Sequence, residues 1–541
     1  MPRCSRRCIG WRAGAFSLHA LVAVLSTWPL AAHLGRGLPT GREPAATVPL
    51  FNLWSLRWTA STPPWRWHTW WDAPIFSPSP GAYARSELQP VTGLAFAALR
   101  AVTSDAAAYG LVVLLALTLN GVAAALLARR LGADRTAAAV AGVLAQLAPF
   151  LFQQLGVLQL LMVWPAVLFV ERGLAWWQQP RLRTAAGAGA ALAVALLTCS
   201  YHAALAAMAV APAALAAGVR HRRRWRQLLP GMVVAGVTFA VIAAPFVIGQ
   251  AARLGDTTWT APTIEAGSAR PADLGPGGPH WPGLGVLAPA ALGLWFRRRS
   301  RAVVGLAAIA SVAALCSLGL HLRVGGLTPY AWLVDHVDAV ARMRSPFRAI
   351  ALTQALAAVL AGVGAQELIR RRHLAGRATV AGFVALAVFG AQLGSGPLAA
   401  LPEKDEVWMG WLTTHPGGTV AMMPMPTTRP VEAFEPTTEW MLQALDHGHD
   451  LVNGYTGFFP AGDREMRQRM AAFPSCDTVA ELQGRGVRYV VAEAGWWTSS
   501  RVATAETLGI TIILGGPDGW LMELTTDPRE LCLIPQRPLP S

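Results

Sequence analysis

The feature that most constrains this chain is a series of long apolar runs separated by short clusters of arginine. About 20 apolar residues at 1.5 Å rise cross a hydrocarbon core of about 30 Å, and only helices or closed barrels do so with their backbone groups satisfied. Apolar runs lie at 13–33, 106–128, 136–152, 157–171, 184–199, 203–219, 229–250, 283–296, 302–320, 346–366 and 376–396. With 53% hydrophobic and only 14% charged residues, against roughly a quarter charged in soluble domains, the chain is not written as a soluble globule. A pI near 10.7 would ordinarily raise nucleic acid as a partner. Here every basic residue but Lys404 is Arg, and the arginines punctuate apolar runs. Membrane lipids, and no nucleic acid, are therefore the expected surroundings. Six cysteines with no CxxC pair offer neither a disulfide scaffold nor a zinc or haem motif.

Charge orders the runs into a topology. Six clusters, at 3–12, 129–135, 172–183, 220–226, 297–301 and 370–377, hold 23 Arg. The longer connections between them hold 12. Short Arg-rich loops stay on the cytoplasmic side, and because clusters flank both ends of 184–219, that block crosses twice and turns near Ser200, Tyr201 and His202. The same parity makes 88–102 an interfacial or re-entrant segment. The expectation is a mainly α polytopic bundle of about 11 transmembrane helices in the cytoplasmic (inner) membrane, N-terminus inside and C-terminus outside. The first run, preceded by four Arg, is read as a span rather than a cleaved signal, since no small-x-small pattern follows it. Almost no Asp, Glu or Lys lies inside the spans, which argues against an ion pathway.

Long loops mark the site. Three outer connections stand out, 34–105, 251–282 and 321–345, and nine of the 12 acids in residues 1–402 lie on outer connections or their edges. The first carries Trp54, Trp58, Trp65, Trp67, Trp70 and Trp71, which fit either interfacial anchoring or sugar stacking. It also carries Asp72 and Glu87, a carboxylate pair suited to general-base work and to holding a divalent cation such as Mg or Mn, or else to local pairing with Arg66 and Arg85. Arg344 and Arg348 in RMRSPFRA stand at i and i+4 around Pro346, which suits bidentate grip of a phosphate at a helix start or simple flanking of the membrane. Tyr201 and His202, at an outward turn, join them as candidate substrate- or phosphate-binding residues.

Residues 1–402 carry 35 basic and 12 acidic side chains, whereas 403–541 carry 10 and 18. The acidic tail alternates short β runs and helices: GGTVAMMP, TTEWMLQALDHG, DLVNGY, REMRQRMAAF, TVAELQGRG leading into VRYVVAE, and the hairpin ITIILGGPDGWLMELT. This pattern implies a small extracytoplasmic α/β domain over 403–541, after a membrane domain over 1–402. Asp446, His447, His449 and Asp450 fit a metal or an ordinary polar turn. Cys476 and Cys532, the two cysteines of the tail, fit a disulfide or two thiols.

STWPLAAHL, VPLFNLWSLRW, DAPIFSPSPGAYARSE, ARRLGADRTAAAVAGVLAQLAPF, MRSPFRA, NGYTGFFPA and GVRYVV, in this order, resemble bacterial membrane proteins of the GT-C glycosyltransferase type, in a glycosyltransferase-like branch. The resemblance spans nearly the whole chain. It implies transfer of a sugar from a polyprenyl-phosphate donor to an envelope polysaccharide, glycolipid or protein acceptor on the outer face, with an acid of the first outer loop as base or metal ligand. Relatives carry Asp immediately before the Pro of a segment like VPLFNLW. This chain has Val48 there, with Glu43 nearby but out of register, so the role falls to Asp72 and Glu87. A non-catalytic membrane scaffold or partner-binding protein that retains the fold is the other reading, and a transporter of lipid-linked substrates the third.

Overall fold

The computed structural model describes residues 6–255, 257–391, 393–403, 406–428 and 430–524. The chain divides into two compact units, one of residues 1–43 and 88–398, the other of 44–87 and 399–541. Both are dominated by helices, and a small sheet lies in the second.

The first unit is a helical bundle. Asp105–Arg130 shows how such a helix is specified: the Ser104 side chain accepts from the Ala107 N–H, Asp105 lies in the first turn, and Arg129 and Arg130 close the last. Each charge complements the helix dipole, and 26 residues extend roughly 39 Å. Asp134 caps the next helix by accepting from the Ala137 N–H at 2.9 Å. Among the described residues, six helical stretches are long and apolar enough to cross a membrane: Asp105–Arg130, Arg135–Gln153, Leu158–Gln178, Ser200–Arg220, Arg226–Leu254 and Pro346–Gly390. Shorter apolar helices follow at Ala13–Ser26, Leu182–Leu196, Leu284–Phe296 and Arg301–Ser317. Pro90–Arg100, within the segment expected to be interfacial, is a separate 11-residue helix.

Acids and arginines are matched where the Arg clusters meet. Glu171 takes Arg130 at 2.9 Å and Arg172 at 3.1 Å, and Glu367 takes Arg297 at 2.9 Å and Arg371 at 3.7 Å. The stretch Ile350–Gly390 is broken at His373, whose φ of 43° is not helical, inside the Arg370–Arg377 cluster. A Cβ at Gly376 would overlap the Leu368 carbonyl, so only glycine permits this reversal.

Leu284–Phe296 packs against Ile350–Gly390 through glycine. A Cβ at Gly364 would overlap the Pro289 carbonyl, and one at Gly293 the Leu360 carbonyl. Lipid tails are as apolar as leucine, so close backbone approach at small residues, and not burial from water, holds such helices together.

The second unit joins 44–87 to the tail. Residues 44–87, expected in the membrane domain, group with the tail, and their aromatic residues meet it: the Phe51 ring lies 5.5 Å from that of Tyr455 and the Phe76 ring 5.9 Å from that of Phe459. In Thr47–Ser61, Leu50, Phe51, Leu53, Trp54 and Leu56 are buried, and Arg57 pairs with Asp446 on Glu435–His447. Trp54, Trp70 and Trp71 are fully buried. Trp70 lies 4.8 Å from Trp71 and 5.0 Å from Tyr83, centroid to centroid. These three rings are therefore packing, neither interfacial anchors nor a sugar platform. The Tyr83 hydroxyl, bonded to the Ser55 and Thr59 hydroxyls at 2.7 and 3.0 Å, has its polar tip satisfied within that core.

The sheet has four strands. Thr419–Met423 pairs in parallel with Val487–Ala492, which pairs antiparallel with Gly519–Glu523, itself the partner of Thr511–Gly516. The last two form the expected hairpin. Ala421, Met423, Val490, Ala492 and Met522 share a core with Met466, Met470, Phe473, Val479 and Leu482. DLVNGY, expected as a strand, makes a single bridge from Leu451 to Val420. Beyond it the Asn453 side chain replaces the ladder, accepting from the Met422 N–H at 2.7 Å and donating to the Met422 carbonyl at 2.9 Å. Cys476 is disulfide-bonded, and Cys532, the partner expected for it, lies outside the described residues.

Burial, reinforced by Glu435, Glu406 and Glu493, pushes the Glu439 carboxyl up to about 7 from its ordinary 4.5. The folded state then holds a proton that the unfolded chain releases, so this group's contribution is favourable below about pH 4.5 and is lost as pH rises towards 7. Glu439→Gln is expected to raise the melting temperature at pH 8 and leave it unchanged at pH 4, as differential scanning calorimetry at the two pH values will show.

Candidate active site

In the first unit, chemistry gathers around 342–349. Ser345 is non-helical (φ −132°, ψ 73°) and Pro346 opens a 3-10 turn that leads into Ile350–Gly390. Arg344 therefore precedes the turn while Arg348 lies within it. The two guanidinium groups are mounted on rings: Arg348 lies 4.1 Å from the Tyr201 centroid and Arg344 5.2 Å from that of Trp259. The Arg344 N–H donates to the Tyr201 hydroxyl at 3.2 Å. Tyr201 thus ties the start of Ser200–Arg220 to both arginines. His202, beside it, is buried and its Nε2 donates to the Leu160 carbonyl at 2.9 Å, which anchors that helix start. Arg348 Nε is buried with no hydrogen-bond partner, an unused donor of the kind that an anionic oxygen would satisfy.

The neighbouring wall is polar. The Phe347 ring stacks on His280 at 5.5 Å and 14°, and His280 Nδ1 meets Gln153 Oε1 at 3.0 Å. Gln354 donates to the His280 carbonyl at 2.9 Å and accepts from the Phe150 N–H at 3.1 Å. Burial lowers the His280 imidazole, and Asp273 partly restores it.

The acid that feels the Arg348 charge is Glu43. Its turn is fixed from two sides: Thr40 N–H donates to Pro397 O at 3.0 Å, Gly41 N–H to Ser395 O at 3.2 Å, and Glu43 N–H back to Thr40 O at 3.0 Å. Gly41 has φ +60°, which favours glycine. A side chain at Gly156 would overlap the Thr40 carbonyl and crowd Glu43 Cγ, so these two glycines let the turn close onto residues 155–156. Half-buried there, Glu43 has its carboxyl pushed up by desolvation, with the Arg348 charge pulling the other way. A carboxylate raised by burial beside a fixed cation is a usable proton acceptor. Sequence reasoning noted Glu43 and passed over it, because Asp72 and Glu87 in the same loop carried the carboxylate role and no local pattern set Glu43 apart.

Asp72 and Glu87 belong to the second unit. Asp72 is exposed, and its Oδ1 accepts from the N–H of Gly81 at 2.7 Å, closing the loop ahead of the turn Ala82–Arg85. Glu87 is half-buried. Val48, at the position where relatives carry Asp, is half-buried in Thr47–Ser61. At Asp446–Asp450, Asp446 is committed to Arg57. His447 Nδ1 accepts from the His449 N–H at 3.1 Å, and both His449 ring nitrogens lie 3.0 Å from carbonyls, those of Gly418 and Leu412. Burial, with His449 adding to it, pulls His447 down to about 4. These are structural bonds. Among the described residues no group of three or more His, Cys, Asp or Glu is placed to hold a metal ion.

The bundle of membrane-length helices has counterparts among solved structures. The fold is similar to that of ArnT from Cupriavidus metallidurans in the apo state, at 15% identity over 96% of this chain and 98% of that one, with a TM-score of 0.52. It is likewise similar to the arabinofuranosyltransferase AftD from Mycobacteria, at 17% identity over 97% of this chain but 42% of that one, also with a TM-score of 0.52. Both are GT-C glycosyltransferases, and this chain is a multi-pass membrane protein of the GT-C fold. It belongs to the family described as Domain of unknown function (DUF6311), whose model matches residues 57–394. No curated protein matches it in sequence.

Proposed function

We propose that the protein transfers a sugar from a polyprenyl-phosphate donor to an envelope polysaccharide, glycolipid or protein acceptor. The observation that carries this reading is Glu43, held by burial within electrostatic reach of Arg348. Attack by an acceptor hydroxyl releases a proton, which the Glu43 carboxylate accepts. The departing lipid phosphate gains negative charge, which Arg348 and Arg344 stabilise. Mounting each guanidinium on a ring fixes its direction before the charge develops. Asp72 and Glu87 are the competing acids, and both are tested in the same assay.

In this reading the chain crosses the cytoplasmic membrane eleven times, with its N-terminus inside and the acidic tail outside. A periplasm-dependent phosphatase fused after Ser541 is expected to be active and one fused after Arg224 inactive. The reverse pattern would overturn the orientation.

Deletion of the gene is expected to accumulate the polyprenyl-phosphate sugar and deplete one envelope glycan, as lipid and glycan profiling will show. Full complementation by both Glu43→Gln and Arg348→Gln would instead support a scaffold that keeps the fold without the chemistry.

A further inference from the structure

Beside the arginines lies a cavity of about 360 Å³ lined by Glu265, Ala266, Ser268, Arg270, Asp273 and His321, within the range of about 300 to 1,000 Å³ typical of small-ligand sites. Its lining selects a chemistry. Ala266 is the only apolar residue, so an aromatic or acyl ligand finds no wall to bury against. Two carboxylates against one guanidinium disfavour a phosphate. No set of metal donors is assembled among the described residues. What remains are hydrogen-bond donors and acceptors side by side. His321 Nδ1 lies 3.1 Å from the Ala269 carbonyl and therefore carries the proton. Its Nε2 lies 3.9 Å from the half-exposed Glu265 carboxylate. Ser268 is already satisfied, donating to Ile264 O at 2.7 Å and accepting from Leu320 N at 3.3 Å. Asp273 Oδ2 accepts from the Arg270 N–H at 2.7 Å. The shape of the cavity is thus set by backbone bonds, and Glu265, Arg270 and His321 are left to face a ligand.

The cavity is also built onto the arginine site. Gly267, between its lining residues Ala266 and Ser268, has no space for a Cβ against the Arg344 carbonyl, and its own carbonyl accepts from the Phe347 N–H at 3.2 Å. A ligand bound there is held by the same stretch of backbone that presents Arg344 and Arg348.

We infer that this cavity is the acceptor subsite and takes an uncharged, hydroxyl-rich glycan unit, whose hydroxyls donate to Glu265, accept from Arg270 and bond the His321 ring. This inference rests on the transferase reading above. The test uses the full chain in lipid nanodiscs and saturation-transfer NMR with a panel of free sugars: arabinose, glucose, galactose, mannose and their α-methyl glycosides. At least one sugar is expected to bind, with affinity falling tenfold or more in Glu265→Gln and in Arg270→Ala, whose side chains are exposed enough to change without unfolding the protein. Gly382→Val, a position with open space around it, is expected to bind it unchanged. Absence of binding by the whole panel, or equal binding by wild type and both cavity variants, overturns the subsite. The reading on which it rests fails separately: a deletion strain with an unaltered lipid-linked sugar pool would remove the transferase, whatever the sugar binding.

Discussion

Glu43→Gln is expected to lower sugar transfer by about 10² to 10⁴ while leaving the protein folded and in the membrane. The amide is nearly isosteric, and the turn is held by backbone bonds from Thr40 to Pro397 and Gly41 to Ser395, none of which involves the carboxyl. What is lost is the capacity to take a proton next to Arg348. Arg348→Gln should cost a similar factor by a different route, since the phosphate would then depart without its charge being met. The measurement is initial rate of transfer in nanodiscs, with Asp72→Asn and Glu87→Gln alongside. Asp72→Asn retains an oxygen able to accept from Gly81 N–H, so it should stay close to wild type. A full rate in Glu43→Gln together with a collapse in Asp72→Asn or Glu87→Gln would move the base to the second unit.

The second large effect is on stability. Gly364→Val is expected to prevent recovery of folded protein, because the added side chain would overlap the carbonyl of Pro289 and backbone cannot yield as a side-chain end can. Overpacking in a well-filled interior costs roughly 1 to 3 kcal/mol, occasionally more, and here it also separates two helices whose association depends on closeness. Gly382→Val, on the same stretch but with open space around it, is the control and should melt like wild type. Thermal unfolding in detergent distinguishes the two. Equal melting of the two variants would mean that the pair of helices tolerates separation.

The parts of this molecule that were legible in the sequence are those encoded locally. The run from Asp105 to Arg130 carries its own cap, acid and closing arginines, and the hairpin through Gly516 and Gly519 carries its own turn. The parts that were not legible depend on residues distant in sequence. Glu43 becomes a site residue because 155–156 and 395–397 close over its turn, and no spacing near residue 43 contains that. Trp70 and Trp71 read as surface aromatics because nothing nearby declares that Tyr83 and Trp54 will enclose them. DLVNGY reads as a strand because its composition suits one, while the amide of Asn453 forms the bonds that a strand would have made. Arg344 and Arg348 were found through their own motif; the rings beneath them come from far along the chain, Trp259 from a loop and Tyr201 from the start of Ser200–Arg220.

The two paired glutamates, Glu171 and Glu367, have a consequence for biogenesis. Arg130 leaves the ribosome 41 residues before Glu171, and Arg297 leaves 70 residues before Glu367. In the topology proposed above, each arginine therefore meets the insertion machinery with its charge uncompensated, when that charge is what directs the helix. The neutralising carboxylate arrives only with a later helix. Chain order thus lets one guanidinium act first as a sorting signal and then as a clasp between helices, two roles that a carboxylate placed earlier in the chain would have set against each other.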